Sequence, residues 1–259
     1  MSTASTSFGA QDFYRDLHLA FDATLARTAG QPSLVDALLG QAFDSFHGNV
    51  PLQCEDEPAL ACQRGCGTCR SLRVAATAPE VWLMARYLRA VAPRLLERGV
   101  DLLGRAREAN AATCGLSEPQ RVALNQACAF VAQGVCVVYP VRTLACRGHA
   151  SSDAQACADA ALGRCDEVPH SPGHRLLRAL VQNAMQSALR SAGLAWGLYE
   201  LNQALVIAAD HPGAEAAWLA GEDVLAPAAL HEVPAEEMAA VFDRLRPAGL
   251  GVAGPGSAC

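Results

Sequence analysis

Three cysteines stand close together about a quarter of the way along the chain, a pattern that suits metal binding by thiolates. Cys62, Cys66 and Cys69 occur in the segment ACQRGCGTCR, with C-x3-C-x2-C spacing. Gly65 and Gly67 let the backbone fold around the middle thiol, so that backbone amides can donate to sulfur. A tetrahedral zinc ion requires four ligands, and a cubane iron–sulfur cluster requires one cysteine for each iron. The triplet therefore needs at least one ligand from elsewhere.

A second group of cysteines, in a later part of the chain, offers that ligand. Cys128, Cys136, Cys146 and Cys157 follow one another with seven, nine and ten residues between them, and Cys165 comes after seven more. A single cysteine in an alanine-rich chain is usually a small buried apolar residue, and thiols can also pair as redox disulfides. So many cysteines in two irregular segments favour metal binding instead. The predicted metal ligands are Cys62, Cys66, Cys69, Cys128, Cys136, Cys146, Cys157 and Cys165.

The expected redox compartment favours metal ligation over structural disulfides. The N-terminal sequence MSTASTSFGAQDF has neither the positive segment nor the apolar segment of a secretory signal, which predicts a cytoplasmic location. In that reducing environment, clustered cysteines more often bind metals or act in redox chemistry than form stable disulfides. The total of eleven cysteines is also odd, which leaves at least one thiol unpaired.

Charge and hydropathy exclude two classes of partner. The formal net charge is −6, and all of the basic residues are scattered arginines, so the chain lacks the basic stripe that nucleic-acid binding needs. The most apolar stretch, residues 193–209, contains Glu200, Asn202 and Gln203 and is shorter than the roughly 20 apolar residues of a membrane span. We therefore expect neither a nucleic-acid partner nor a membrane; a protein partner stays open.

The fold that positions these cysteines is predicted to be mostly α, an irregular helical domain with two cysteine-rich loops and at most short strands around a metal site. Alanine and leucine are abundant while aromatic residues are few, which favours helix. We expect N-terminal helices in residues 1–50, the second running from Ser33 to about His47. A cysteine-cluster region follows in residues 51–167, then C-terminal helices that pack on it in residues 168–246, and a disordered tail in residues 247–259. Thr77 or Ala78, followed by Pro79 and Glu80, marks a helix start.

The order of these motifs resembles the YkgJ-type cysteine-cluster family, whose members are described as zinc- or iron-chelating proteins. The shared pattern is C-x3-C-G-x-C, a helix that begins with Pro-Glu, C-x7-C-x2-Y, an arginine and then C-R-G. It covers residues 62–157. The resemblance implies metal-binding roles for Cys62, Cys66, Cys69, Cys128, Cys136, Cys146 and Cys157.

Two positions depart from the family pattern. Arg70 stands where a further cysteine often follows the triplet, and Thr143 stands where the family has proline. One ligand is therefore missing or replaced, and either Cys165 or His149 is a candidate to complete the coordination. Arg142 and Arg147 flank the predicted site, where they could offset thiolate charge; the alternative is a surface ion pair of little energetic value.

Several functions remain open at this point. The wide, uneven spacing suits a [4Fe–4S] cluster somewhat better than zinc. The protein is either a metal-binding protein, a redox or catalytic enzyme with an open cluster position, or a helical interaction module with a structural metal. The triplet also resembles the cluster motif of radical S-adenosylmethionine enzymes, but Thr68 replaces the usual aromatic residue. The remaining candidates are expected to be passive thiols or exposed imidazoles: Cys54, Cys114, Cys259, His170 and His174.

Overall fold

The computed structural model describes residues 9–63, 66, 68–69, 72–165 and 167–246. This part of the chain is mostly helical, as the sequence predicts. Its helices are α1 (Ala10–Thr28), α2 (Leu34–Gln53), α3 (Ala78–Leu96), α4 (Leu102–Thr113), α5 (Glu118–Leu124), α6 (Leu144–Gly148), α7 (Ala154–Ala161), α8 (Pro172–Ser191), α9 (Leu201–Asp210), α10 (Ala214–Leu219) and α11 (Ala235–Leu245). Its strands are β1 (Ala75–Ala76), β2 (Val131–Ala132), β3 (Val135–Cys136) and β4 (Tyr199–Glu200).

Helix α8 is the central element of the hydrophobic core. Its apolar residues recur at helical spacing, and Leu177, Val181, Ala184 and Ala188 are fully buried. Helices α1, α2 and α6 all pack against α8, while α9 packs against α3 and α4. The helix that follows the cysteine-rich segments thus supports α6, which carries one of the predicted ligands.

Two short antiparallel pairs fix the loops between helices. Strand β1 pairs with β4, which joins the segment before α3 to the segment before α9. Strands β2 and β3 form a hairpin in which Val131 lies opposite Cys136. The two residues between them, Gln133 and Gly134, have φ values of 51° and 78°, as a two-residue type I′ hairpin turn requires. This turn sets the register that holds Cys136.

A buried carboxylate joins the start of α3 to the start of α6. Glu80 accepts hydrogen bonds at one oxygen from the Thr77 amide, at 2.7 Å, and from the Thr77 hydroxyl, at 2.8 Å. Its other oxygen accepts from the Leu144 amide at 2.5 Å. The two hydrogen bonds from Thr77 complete the capping box of α3. The predicted start of this helix is confirmed. The hydrogen bond from the Leu144 amide fixes the turn of chain that carries Cys146.

Helix α2 is longer than the sequence analysis predicts. It continues past His47 to Gln53, because Pro51 lies in its last turn and the Cys54 amide still donates to the Val50 carbonyl at 3.0 Å. Helix α6 also lies within the second cysteine-rich segment, where the sequence predicts an irregular loop. The extension of α2 matters because it brings Cys54 to the C-terminal end of a core helix.

None of the helices in the described ranges combines the length and apolarity that crossing a lipid bilayer requires. The predicted tail, 247–259, lies outside these ranges, together with Cys259, Arg70 and the two glycines at positions 65 and 67.

Replacing the buried carboxylate by an amide tests its role. We expect Glu80→Gln to lower the free energy of unfolding by about 2–4 kcal/mol, since the amide nitrogen cannot accept a hydrogen bond and leaves a buried donor unpaired. Urea unfolding followed by circular dichroism measures the change. The exposed Glu108→Gln on α4 is the control and should change stability by less than about 0.5 kcal/mol. Equal effects of the two substitutions would contradict the assignment.

Candidate metal centre

The loop that carries the first cysteines is tied to the chain that follows α6. The Ala61 amide donates to the Ser151 carbonyl at 2.9 Å, and the Ser151 amide donates to the Cys62 sulfur at 3.3 Å. These two reciprocal contacts bring residues 61–62 beside Ser151. An amide that donates to a thiolate also stabilises its negative charge, as is usual around metal-bound sulfur.

Three cysteines of the later segment lie on elements anchored in the core. Cys136 lies on β3, and Cys128 precedes the same hairpin, with its carbonyl accepting from the Val131 amide at 3.1 Å. Cys146 lies in α6, where its amide donates to the Thr143 hydroxyl, the N-cap of that helix, at 3.3 Å. All three thiols are half-buried. The scaffold thus holds them in place by backbone contacts.

The two segments meet electrostatically at Cys69. Burial, together with the negative charges of Cys146, Cys62 and Cys66, raises the pKa of the Cys69 thiol to about 11. Solvent reaches this side chain, but the protein atoms around it still desolvate its thiolate. Cys69 therefore interacts with both other members of the triplet and with the cysteine of α6.

The same coupling extends to the hairpin. Burial raises the pKa of Cys128 to about 12, and the charges of Cys146, Cys136 and Cys69 act in the same direction. For Cys146, burial again raises the pKa, with Cys136 and Glu80 adding to the effect and the Thr143 hydroxyl opposing it. Six thiols thus form one electrostatically coupled group, which we call the thiol group: Cys62, Cys66, Cys69, Cys128, Cys136 and Cys146.

The thiol group is spaced more widely than the ligands of a single ion. Where the structure describes the chain, no three of these sulfurs lie within 4.8 Å of one another. Four thiolates around one zinc ion, each bonded at 2.3 Å, would be about 3.8 Å apart. No three of the six sulfurs are therefore as close together as the ligands of one tetrahedral ion.

The other predicted ligands have different surroundings. Cys157 lies half-buried on α7, and the Cys165 thiol donates to the Glu167 carbonyl at 2.8 Å. His149, at the end of α6, packs against His170 with ring centroids 4.5 Å apart and the ring planes tilted by 54°. Burial and the neighbouring charges of His170 and two arginines lower the pKa of His149 to about 4, so its imidazole is neutral at pH 7. No hydrogen bond within the described residues links these three side chains to the thiol group.

Two arginines stabilise the turn that carries Cys146, in different ways. Arg142 lowers the pKa of Cys136 and Cys146 by its positive charge, opposing the effect of burial. Arg147 is buried, stacks over the Phe43 ring at 3.8 Å, and donates to the Arg142 carbonyl at 2.9 Å. Burial lowers the pKa of Arg147 to about 10. Within the described part of the chain, Arg147 thus forms no ion pair but fixes the turn by packing and hydrogen bonding.

A second group of metal-ligating side chains lies where the end of α2 meets the start of α8. The Cys54 sulfur, a Glu57 carboxylate oxygen and a His174 ring nitrogen all lie within 4.8 Å of one another. Cys54 Sγ and His174 Nδ1 are 3.3 Å apart. His174 is only 8% exposed, so the expectation that it is exposed is wrong. Burial lowers its pKa, which keeps the imidazole neutral and able to ligate.

Sequence reasoning missed this second group because its members come from distant positions. Cys54 belongs to no cysteine motif, and His174 sits in Ser-Pro-Gly-His, a pattern typical of an exposed helix start. The feature of the sequence that could have indicated this second group is Gly173, next to His174. A Cβ at that position would lie 2.6 Å from the Cys54 sulfur and 2.9 Å from a Glu57 oxygen, so only glycine permits this approach.

A small, open cleft with a cavity volume of about 30 Å³ adjoins the thiol group at Cys128. Arg121 also lines it; this arginine is 6% exposed and pairs with Glu200 at 3.2 Å. The Nε of Arg121 has no hydrogen-bond partner among the described residues. The cleft thus presents a buried guanidinium and a thiol to the same space.

Removal of the positive charge nearest the thiol group should make its thiols harder to ionise. We expect Arg142→Gln to shift the thiolate titration of the chain, stripped of metal, to higher pH, because the arginine lowers the pKa of Cys136 and Cys146. Ultraviolet thiolate absorbance against pH measures this. Arg164→Gln, an exposed arginine beside Asp159, is the control. An unchanged titration, or one shifted to lower pH, would contradict the electrostatic account.

Comparison of the chain with family models, with curated protein sequences and with solved structures gave no match in any of the three.

Proposed function

We propose that this protein binds an iron–sulfur cluster through cysteines of two separated segments, with zinc as the alternative metal. The observation that carries the proposal is the coupling of Cys69 to Cys62, Cys66 and Cys146. These four thiols are the number that one cubane cluster or one zinc ion requires. We assign them as the first ligand set. Cys128 and Cys136 flank it, and the roles predicted for Cys157 and Cys165 have no support from contacts.

A metal accounts for the unfavourable electrostatics of the thiol group. Burial and mutual repulsion raise the pKa of Cys69, Cys128 and Cys146, so these thiols are difficult to ionise by themselves. A bound cation reverses this because it deprotonates its thiol ligands and balances their charge. Arg142 contributes one further positive charge, and the Ser151 amide donates to the Cys62 sulfur. The surroundings thus favour thiolates in the presence of a metal.

The spacing of the sulfurs favours a cluster over a single ion. In a cubane, each thiolate binds a different iron, so ligand sulfurs lie farther apart than when they share one atom. The absence of any close sulfur triple among the described residues agrees with that wider spacing. Membership of the YkgJ-type family, suggested by the order of the motifs, is part of the same proposal.

A second candidate function is catalysis at the cluster. It rests on the small cleft beside Cys128, which has room for about one water-sized group and whose wall includes the buried Arg121. A guanidinium there would attract a carboxylate or phosphate group of a substrate. Binding of small anionic compounds that Arg121→Met abolishes, with the cluster intact, would favour this function. Equal binding by both proteins would count against it.

The metal content of the protein, purified without oxygen, tests the first proposal. We expect iron and acid-labile sulfide in equal amounts, and a broad visible absorption that dithionite bleaches. Cys66→Ser and Cys146→Ser should each lose most of the iron, because one thiolate from either segment completes the coordination. Cys114→Ser, at an exposed thiol after α4, is the control and should keep it.

Several outcomes would contradict the proposal. A colourless protein that folds cooperatively without iron or zinc would refute it entirely. Iron retained by Cys146→Ser, while Cys66→Ser loses it, would show that the second segment does not take part. Zinc in place of iron, lost from the same two variants, would support the ligand set and select the alternative metal.

A further inference from the structure

The junction between α2 and α8 brings together three side chains that commonly bind zinc. Cys54 is the C-cap of α2, Glu57 follows in the next turn of chain, and His174 lies in the first turn of α8. Thiolate, carboxylate and imidazole are all common zinc ligands, and catalytic or exchangeable sites often use three protein ligands. The thiol group contains none of these three residues.

The distance between two of the ligating atoms matches a shared metal. A zinc ion bonded to sulfur at 2.3 Å and to nitrogen at about 2.0–2.1 Å in tetrahedral geometry separates the two ligands by about 3.6 Å. The Cys54 sulfur and His174 Nδ1 are 3.3 Å apart, and the Glu57 oxygen lies within 4.8 Å of both. Small side-chain movements would therefore bring the three atoms around one ion.

The charges of this group also suit a divalent cation. A thiolate and a carboxylate balance two positive charges, and His174 contributes a neutral ligand. The site is half-buried at Cys54 and Glu57 and buried at His174, so a neutral complex costs little desolvation. Gly173 keeps the space clear, since any Cβ there would collide with the sulfur.

The same side chains also cap helix α8. The Ser171 hydroxyl donates to Glu57 and accepts from the His174 amide at 3.2 Å, and the Gly173 amide donates to Glu57 at 2.6 Å. Capping alone explains a carboxylate and a hydroxyl at this helix start. The Ser171 hydroxyl also lies 2.7 Å from His174 Nδ1 and 3.8 Å from the Cys54 sulfur, so the thiol and the imidazole meet beside the capping residue. Capping of the helix requires neither of these two side chains there.

We infer that Cys54, Glu57 and His174 form a second, mononuclear site for a zinc-type divalent cation, distinct from the thiol group. The bound ion links the end of α2 to the start of α8. Among the histidine, cysteine and acidic side chains of the described residues, these three alone meet here, and the neutral Ser171 hydroxyl lies beside them. The fourth coordination position is therefore assigned to water.

Cobalt(II), which reports thiolate coordination by its absorption, tests this site in the full chain. With the cluster in place, wild type should bind one equivalent of cobalt with a sulfur charge-transfer band. Cys54→Ser, His174→Gln and Glu57→Gln should each weaken binding by at least about tenfold, with the visible spectrum of the cluster unchanged. Ser171→Ala is the matched control, since it perturbs the same helix start without removing a ligand, and it should bind cobalt like wild type.

The outcomes separate a metal site from a helix cap. Unchanged cobalt binding in Cys54→Ser and His174→Gln would overturn the inference. An equal loss of cobalt binding in Ser171→Ala would also overturn it, because the capping network alone would then explain the loss. Circular dichroism identifies variants that fail to fold, in which case the conservative Glu57→Gln and Cys54→Ser decide.

The test is independent of the proposed cluster. If wild type contains no cluster, the titration is repeated on a chain with both Cys66→Ser and Cys146→Ser. One equivalent of cobalt that His174→Gln abolishes would still support the second site. Its absence from that chain would overturn it.

Discussion

Charge repulsion among gathered thiols is the constraint on which the rest of this structure depends. Six thiols from two segments are gathered here, and the ionisation of Cys69, Cys128 and Cys146 is opposed both by burial and by neighbouring charges. Such a group is unfavourable as free thiolates, yet the described chain directs a backbone amide and an arginine at it, both of which favour the ionised form. Thiols that resist ionisation and surroundings that favour thiolates are compatible when a bound cation supplies the balancing charge.

The helical scaffold holds this group with a few specific contacts. Glu80 joins the starts of two helices and so fixes the turn before Cys146, while a type I′ turn sets the register of Cys136. The pairing of Ala61 with Ser151 then brings the first loop to the second. Each of these contacts is made by backbone groups or by a buried carboxylate. The positions of the sulfurs therefore depend on the fold and not on the sulfurs alone.

Local signals in the sequence predict local structure well. Pro79 and Glu80 identify the start of α3, and the abundance of alanine and leucine predicts a mostly helical chain, which is confirmed. The sequence predicts too early an end for α2, because a proline usually signals a helix end, whereas Pro51 is tolerated in the final turn. The division into four segments, the family resemblance and the cytoplasmic location stay predictions.

Contacts between distant residues could not be read from spacing. Nothing in the segment around His174 shows that Cys54 and Glu57 cover it, so its burial emerges only when α2 and α8 pack together. The second role of Glu80, at the Leu144 amide, is likewise a tertiary contact. For the thiol group, the sequence supplies the residues, and the fold decides which of them interact.

The most direct test of the account is a footprint of cysteine alkylation, read by mass spectrometry on the metal-loaded chain before and after chelation. The account predicts that Cys62, Cys66, Cys69 and Cys146 are protected together and become reactive together when the metal is removed, while Cys114 reacts throughout. Protection of the triplet with Cys146 freely alkylated in the loaded protein would contradict a centre shared by the two segments.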